Sequence, residues 1–199
     1  MGLGGVQRHR PAETANGERE AAVIVPVIER TDQPQLLFTK RSDELPDHPG
    51  QMSFPGGKRE ASDGDLLQTA LREGDEEICL DPTDVSCVGR LDDILTVTRF
   101  AVRPFVAQIP DREYIPCDGE VAEVAALPVE ALVHQDNYVS ERRDHPEHGS
   151  IRIHFFTVNG YTVWGATARI LVQFLELATE WTMPGEVDRT TEYDADLPV

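Results

Sequence analysis

Hydrophobic positions along the chain follow two periods. Residues 21–29 (AAVIVPVIE) form an apolar, β-branched run, and residues 35–41 (QLLFTKR) form another after a polar break at 31–34. Both read as strands, and together as a hairpin. Pro26 has no N–H to give to a ladder, so it predicts a sheet edge or a bulge. Residues 42–57 are broken by Pro46, Pro49, Gly50, Pro55, Gly56 and Gly57 and read as a loop. Over residues 65–79 the period becomes helical, with Leu67, Ala70, Leu71, Gly74 and Ile78 on one face. Asp81-Pro82 ends that helix. Strands are predicted over 85–95, 100–108, 121–127, 151–158 and 161–164, with a hairpin turn at Asn159-Gly160. A short helical turn is expected at 128–132. A second long helix, 166–181, buries Ile170, Leu171, Phe174, Leu175 and Ala178.

This pattern places one α/β domain over residues 21–183, without an internal repeat. Residues 1–20 lack apolar periodicity and are expected as a flexible arm, and residues 184–199 as an acidic, disordered tail. The 199 residues suffice for one core, and their 40% hydrophobic and 27% charged content suits a globular protein. There is no apolar run long enough to span a bilayer and no secretory leader in the first residues, so a cytoplasmic location is expected.

Charge narrows the partners. The chain carries 36 acidic and 18 basic residues, a net charge of −18. Such a surface repels nucleic acids and anionic membranes, so neither is an expected partner. It suits a high-salt milieu, where self-repulsion is screened, and a salt-adapted (halophilic) source is expected. The expected partner is a small anionic molecule, and a homodimer is among the expected assemblies. Cys79, Cys87 and Cys117 have no paired spacing and are expected as buried free thiols.

Chemistry concentrates in GGKREASDGDLLQTALREGDEEICL, residues 56–80. Glu73, Glu76 and Glu77 stand at i, i+3 and i+4, which puts three carboxylates on one helix face. Like charges at that spacing destabilise a helix by a few tenths of a kcal/mol per pair, roughly. Mg²⁺ or Mn²⁺, which prefer hard oxygen ligands, would relieve the conflict. Solvation of an exposed acidic face is the competing explanation. Arg72, four residues before Glu76, can hold a carboxylate with its fork of donors. Gly74 is unfavourable inside a helix by about 1 kcal/mol relative to Ala, which predicts a close neighbour at that turn. Gly56-Gly57 allows a sharp backbone turn and a free carbonyl. Arg99 and Arg103, flanking an apolar strand, are further candidates for phosphate contacts.

The segment resembles the Nudix box: Gly, five residues, Glu, seven residues, then Arg-Glu-aliphatic-any-Glu-Glu-any-Gly-aliphatic. Gly57, Arg72-Glu73, Glu76-Glu77 and Leu80 match it. Asp63 stands for the first Glu, eight residues rather than seven precede Arg72, Gly74 replaces the aliphatic residue and Cys79 the final Gly. The stretch LFTKRS at 37–42, then Gly50 and Phe54-Pro55-Gly56-Gly57, resembles the motif preceding the box in the coenzyme A diphosphatase branch. Pro46 stands where that motif has Arg. Residues 163–168 (VWGATA) resemble the start of that branch's last helix.

The resemblance implies a Nudix-type α/β/α sandwich with a mixed central sheet. It implies hydrolysis of the diphosphate bond of coenzyme A or its derivatives to 3′,5′-ADP and 4′-phosphopantetheine. The alternatives are another nucleoside diphosphate derivative (ADP-ribose or NADH), a nucleoside triphosphate, or a non-catalytic nucleotide-binding module. Glu73, Glu76, Glu77 and a carbonyl of Gly56 or Gly57 would hold Mg²⁺ or Mn²⁺. Glu73, Glu77 and Arg72 would serve catalysis, and Glu120, ahead of Glu123, would orient or deprotonate the attacking water.

Overall fold

The computed structural model describes residues 1–199 except 15–16, 31–32, 46–47, 146–148, 193–194 and 196–199. Its strands are β1 (Arg19–Ile28), β2 (Gln35–Arg41), β3 (Met52–Ser53), β4 (Gly56–Lys58), β5 (Ser86–Arg90), β6 (Ile94–Leu95), β7 (Phe100–Ile109), β8 (Val121–Pro128), β9 (Tyr138–His145), β10 (Gly149–Val158), β11 (Tyr161–Trp164) and β12 (Arg189–Thr191). The helices are α1 (Gly4–Arg8), α2 (Leu66–Ile78), α3 (Val129–Leu132) and α4 (Gly165–Ala178).

One mixed sheet runs β3-β2-β1-β7-β5, with β4 on β1, β6 on β7 and β8 on β2. A second sheet runs β11-β10-β9-β12. β1 and β7 are parallel over ten residues, Arg19 with Phe100 through Ile28 with Ile109. The alternation of β1 splits its side chains between two cores. Ala22, Ile24 and Ile28 pack with Leu66, Ala70, Ile78 and Leu80 beneath α2. Val25 and Val27 join Phe38, Phe156, Leu171, Phe174 and Leu175 on the other side, where α4 and the second sheet close the molecule. The result is the expected α/β/α sandwich, with a mixed central sheet between α2 and α4. No helix among the described residues is long and apolar enough to cross a membrane.

Four expectations are corrected. Pro26 lies in an interior strand, not at an edge. It shares parity with Ile24, whose N–H goes to Pro55 O on the β4–β2 side. Pro26 falls between the β4 pairing at 21–23 and the β2 pairing at 27–28, so no ladder bond is lost there. The N-terminal segment is not a free arm: Val6 of α1 is buried, and Gly2 N–H donates to Ala178 O at 2.8 Å. The acidic tail contributes β12, parallel to β9, and Arg189 Nε donates to the buried Glu141 at 2.6 Å. Finally, Cys79 and Cys117 form a disulfide across 38 residues, and Cys87 is exposed. None of the three cysteines is therefore a buried free thiol.

Candidate active site

The acidic helix is set by local rules. Asp65, extended at φ −152°, caps α2 by accepting from Gln68 N–H at 2.8 Å. The buried row Leu66, Ala70, Gly74, Ile78 seats α2 on β1. A Cβ on Gly74 would stand 3.3 Å from Ile24 Cδ1, which accounts for a glycine at that turn. The adjacent i, i+4 row is Thr69, Glu73 and Glu77, and it faces β4. At the other end Cys79 caps the helix in the left-handed region, at φ 50°. That conformation favours glycine, the residue the Nudix box has here. In this chain a cysteine takes it and is tied by the disulfide to the loop beyond β7.

β4 lies directly under the carboxylates. Gly56 N–H donates to Glu77 Oε2 at 3.2 Å. A Cβ on Gly57 would stand 2.5 Å from the Glu73 carboxyl group, so the missing side chain leaves the cradle in which that group rests. Gly56, at φ 149°, could carry no side chain, because its Cβ would meet Ala22 O at 2.3 Å. Burial pushes the Glu77 carboxyl up to about 8, reinforced by the charges of Glu73, Asp118 and Glu120 and opposed by the Gly56 N–H. Burial also raises Glu73, against the pull of Arg72.

Arg72 is surrounded by acceptors. It donates to Asp63 from Nε at 3.1 Å, to Glu73 at 3.0 Å, to Glu76 at 3.0 Å and to Lys58 O at 3.0 Å. These bonds give it a positioning part, holding the helix face against β4. Asp63 is the anchor that sequence reasoning undervalued. It is buried and also accepts from Glu60 N–H at 2.9 Å and Thr69 Oγ1 at 2.9 Å. Its bond with Arg72 holds its carboxyl far below the usual range. The shorter acid and the extra residue before Arg72 occur together, and Asp63 still reaches the guanidinium.

Glu120 stands on the loop before β8. Asp118 Oδ1 accepts from Glu120 N–H at 2.9 Å, and Glu120 O accepts from Ser42 N–H at 2.8 Å. Its carboxylate lies 3.4 Å from Arg41 Nη1. Glu123, the other candidate, accepts from the Tyr161 hydroxyl. Asp118 was missed by sequence reasoning, although the DGE turn carries it. Glu76 points outward, its side chain 55% exposed and paired to Arg72. Arg103 pairs with Asp93 at 2.8 Å and Arg99 with Glu18. Pro46 lies outside the described residues.

Among the described residues, no three ligating side chains converge as a formed metal cluster. Arg72 and the Gly56 N–H hold the carboxylates instead. The donor set nevertheless fits Mg²⁺ or Mn²⁺: Glu73 and Glu77 are hard oxygen donors, the charge of Glu73 raises the affinity of Glu77 for protons, and those of Glu76 and Glu120 raise that of Glu73. Glu76 would have to leave Arg72 to join them.

Comparison with known proteins decides the family. The NUDIX domain matches residues 18–148. The chain belongs to the Nudix hydrolase family. It is 39% identical to the uncharacterized Nudix hydrolase NudL of Enterobacter sp. (strain 638) over 157 residues, 77% of this chain and 79% of that protein. It is 37% identical to NudL of Escherichia coli (strain SMS-3-5 / SECEC) over 164 residues, 80% and 82% of the two chains. A MutT/nudix family protein from Enterococcus faecalis superposes with a TM-score of 0.52 at 13% identity, covering 85% of this chain and 64% of that one. A NUDIX hydrolase from Alicyclobacillus acidocaldarius superposes at 0.51 and 19% identity, covering 60% and 83%. These superpositions agree with a Nudix fold.

Proposed function

We propose that this Nudix hydrolase cleaves the diphosphate bond of coenzyme A or a derivative, giving 3′,5′-ADP and 4′-phosphopantetheine. The observation that carries the chemistry is the Glu73–Glu77 row resting on Gly56-Gly57. The motif over residues 37–57, which leads into that glycine pair, supports the coenzyme A substrate. Mg²⁺ or Mn²⁺, held by Glu73 and Glu77 with Glu76 and a Gly57 carbonyl, would neutralise the diphosphate and acidify a bound water. The chain's own residues do the positioning. Arg72 fixes Glu73, the Gly56 N–H fixes Glu77, and the Asp118 turn fixes Glu120 on the open side. Glu120 orients the water and takes its proton. The water oxygen bonds to one phosphorus as the bond from that phosphorus to the bridging oxygen breaks, and each product leaves as a phosphate monoester.

The test is product analysis after incubation of wild type and Glu77→Gln with coenzyme A and Mg²⁺ or Mn²⁺, beside ADP-ribose and NADH. Wild type is expected to prefer coenzyme A. Glu77→Gln is expected to lose roughly two or more orders of magnitude in turnover, as for loss of a transition-state contact. Preference for a substrate without a pantetheine arm overturns the substrate. Near wild-type turnover by Glu77→Gln overturns the role of Glu77.

A further inference from the structure

A recess of about 440 Å³ opens beside the candidate active site, at the start of the parallel β1–β7 pair. Arg19, Lys58 and Phe100 line it together with Arg59, Glu20 and Glu60. Gly57 faces Glu73 and α2, so Lys58, the next residue of β4, projects to the opposite face. Arg19 and Phe100 are paired across β1 and β7. The Arg19 guanidinium lies over the Phe100 ring, 4.1 Å from its centroid, and donates to Thr98 O at 3.0 Å. Lys58 Nζ stands 5.8 Å from the same centroid.

The charges here are unusual for this chain. Most of the acids at the recess are already engaged: Glu20 by Arg59 at 2.8 Å and Asp63 by Arg72 at 3.1 Å. Among the described residues, the Glu60 carboxylate accepts from the Ser62 hydroxyl at 3.5 Å and pairs with no cation. Among the described residues, neither Arg19 nor Lys58 has a carboxylate within ion-pair distance, although acids outnumber bases 36 to 18. Ring stacking leaves the Arg19 guanidinium fixed in orientation with donors to spare. Two cations at one ring, in a recess that also reaches Asp63, the partner of Arg72, suit a second anionic group on a substrate held at the carboxylates.

We propose that the recess binds a phosphate monoester on the ribose of the substrate's nucleoside, with Arg19 and Lys58 as its donors and Phe100 as the platform for Arg19. This rests on the coenzyme A reading for the natural ligand, but its test does not. Adenosine 3′,5′-bisphosphate and adenosine 5′-monophosphate are titrated calorimetrically into the full chain, in EDTA and at one fixed salt concentration. The wild type is expected to bind the bisphosphate at least about tenfold more tightly, as for one charge-assisted contact. Arg19→Gln/Lys58→Gln is expected to abolish the gap while keeping the affinity for the monophosphate. Phe100→Leu is expected to narrow it. No gap in wild type, or a gap that survives in the double variant, overturns the proposal. Melting curves check that the variants are folded. Failure to cleave coenzyme A sinks the substrate reading alone, and the binding gap still decides the recess. If coenzyme A is cleaved but the double variant leaves its KM advantage over dephospho-coenzyme A intact, the recess assignment falls alone.

Discussion

Replacing both Cys79 and Cys117 by serine removes a crosslink that closes a loop of 38 residues. Loop-closure entropy for that length gives about 4 kcal/mol of stability at 25 °C. For a chain of this size that is a fall in melting temperature of about 8–16 °C. Part of the effect is local. Cys79 sits in the left-handed region, where a non-glycine residue is disfavoured by about 1 kcal/mol or more. Cys79→Gly/Cys117→Ser should therefore regain about 1 kcal/mol relative to the double serine variant. Urea unfolding, with and without reductant, measures each difference. Labelling the denatured, unreduced wild type should find one reactive thiol, Cys87, and reduction should raise the count to all three. Three thiols before reduction, or equal stability of wild type and double serine variant in oxidising buffer, refutes the reasoning. The crosslink also ties the end of α2 to the loop of Asp118 and Glu120, where Cys117 N–H donates to Glu77 O at 2.9 Å. Loss of turnover should accompany loss of stability.

Gly57→Ala places a methyl 2.5 Å from the Glu73 carboxyl. The side chain can move aside, so stability should change by less than about 1 kcal/mol, whereas a carboxylate displaced by about 1 Å should cost about 100-fold in kcat. Steady-state kinetics beside melting curves separates the two. His154 is buried and shares a 2.8 Å hydrogen bond with the Tyr138 hydroxyl. Burial, with the charges of Arg152 and Arg169, pushes it down to about 4 from an ordinary 6.5. Between these values the unfolded chain binds the extra proton, so stability falls as pH drops. From pH 7.5 to 5 the loss is about 2 kcal/mol. The difference in stability between wild type and His154→Gln, in which the carboxylates titrate alike, should shift by that amount in favour of the variant. The net charge of −18 leads to a fourth expectation: the melting temperature rises from dilute buffer to molar KCl, and a fall would refute the salt-adapted reading.

What could be read from the sequence follows from where stability is local. α2 was legible because its apolar period and the Asp81-Pro82 stop both lie within a short stretch of chain, residues 65–82. β1, β2, β7, β8 and β10 were legible from apolar alternation. β9 was not, because its inward side includes Glu141 and Arg143, which are buried only as an ion pair at 2.7 Å. Hydropathy cannot distinguish such a strand from a solvated loop. The two short strands at 52–53 and 56–58 lie among prolines and glycines and exist only through pairing with β2 and β1. The carboxylate row was legible as spacing. The anchoring of Arg72 by Asp63 and the Cys79–Cys117 crosslink were not, since both depend on contacts made after the chain folds back.

The parallel pairing of β1 with β7 bears on how this chain is made. Residue 19 meets residue 100, and the offset of 81 residues holds along the whole ladder. A ribosome must therefore extrude the chain beyond residue 109 before the middle of the sheet can close, and such non-local pairing is slow. During that wait the run VIVPVI at 23–28 is exposed, which without its proline would be a segment of the kind that stacks with its own copies. Pro26, which removes no bond from the finished sheet, would break any such stack. On this view the proline in the middle of the strand protects the nascent chain from aggregation.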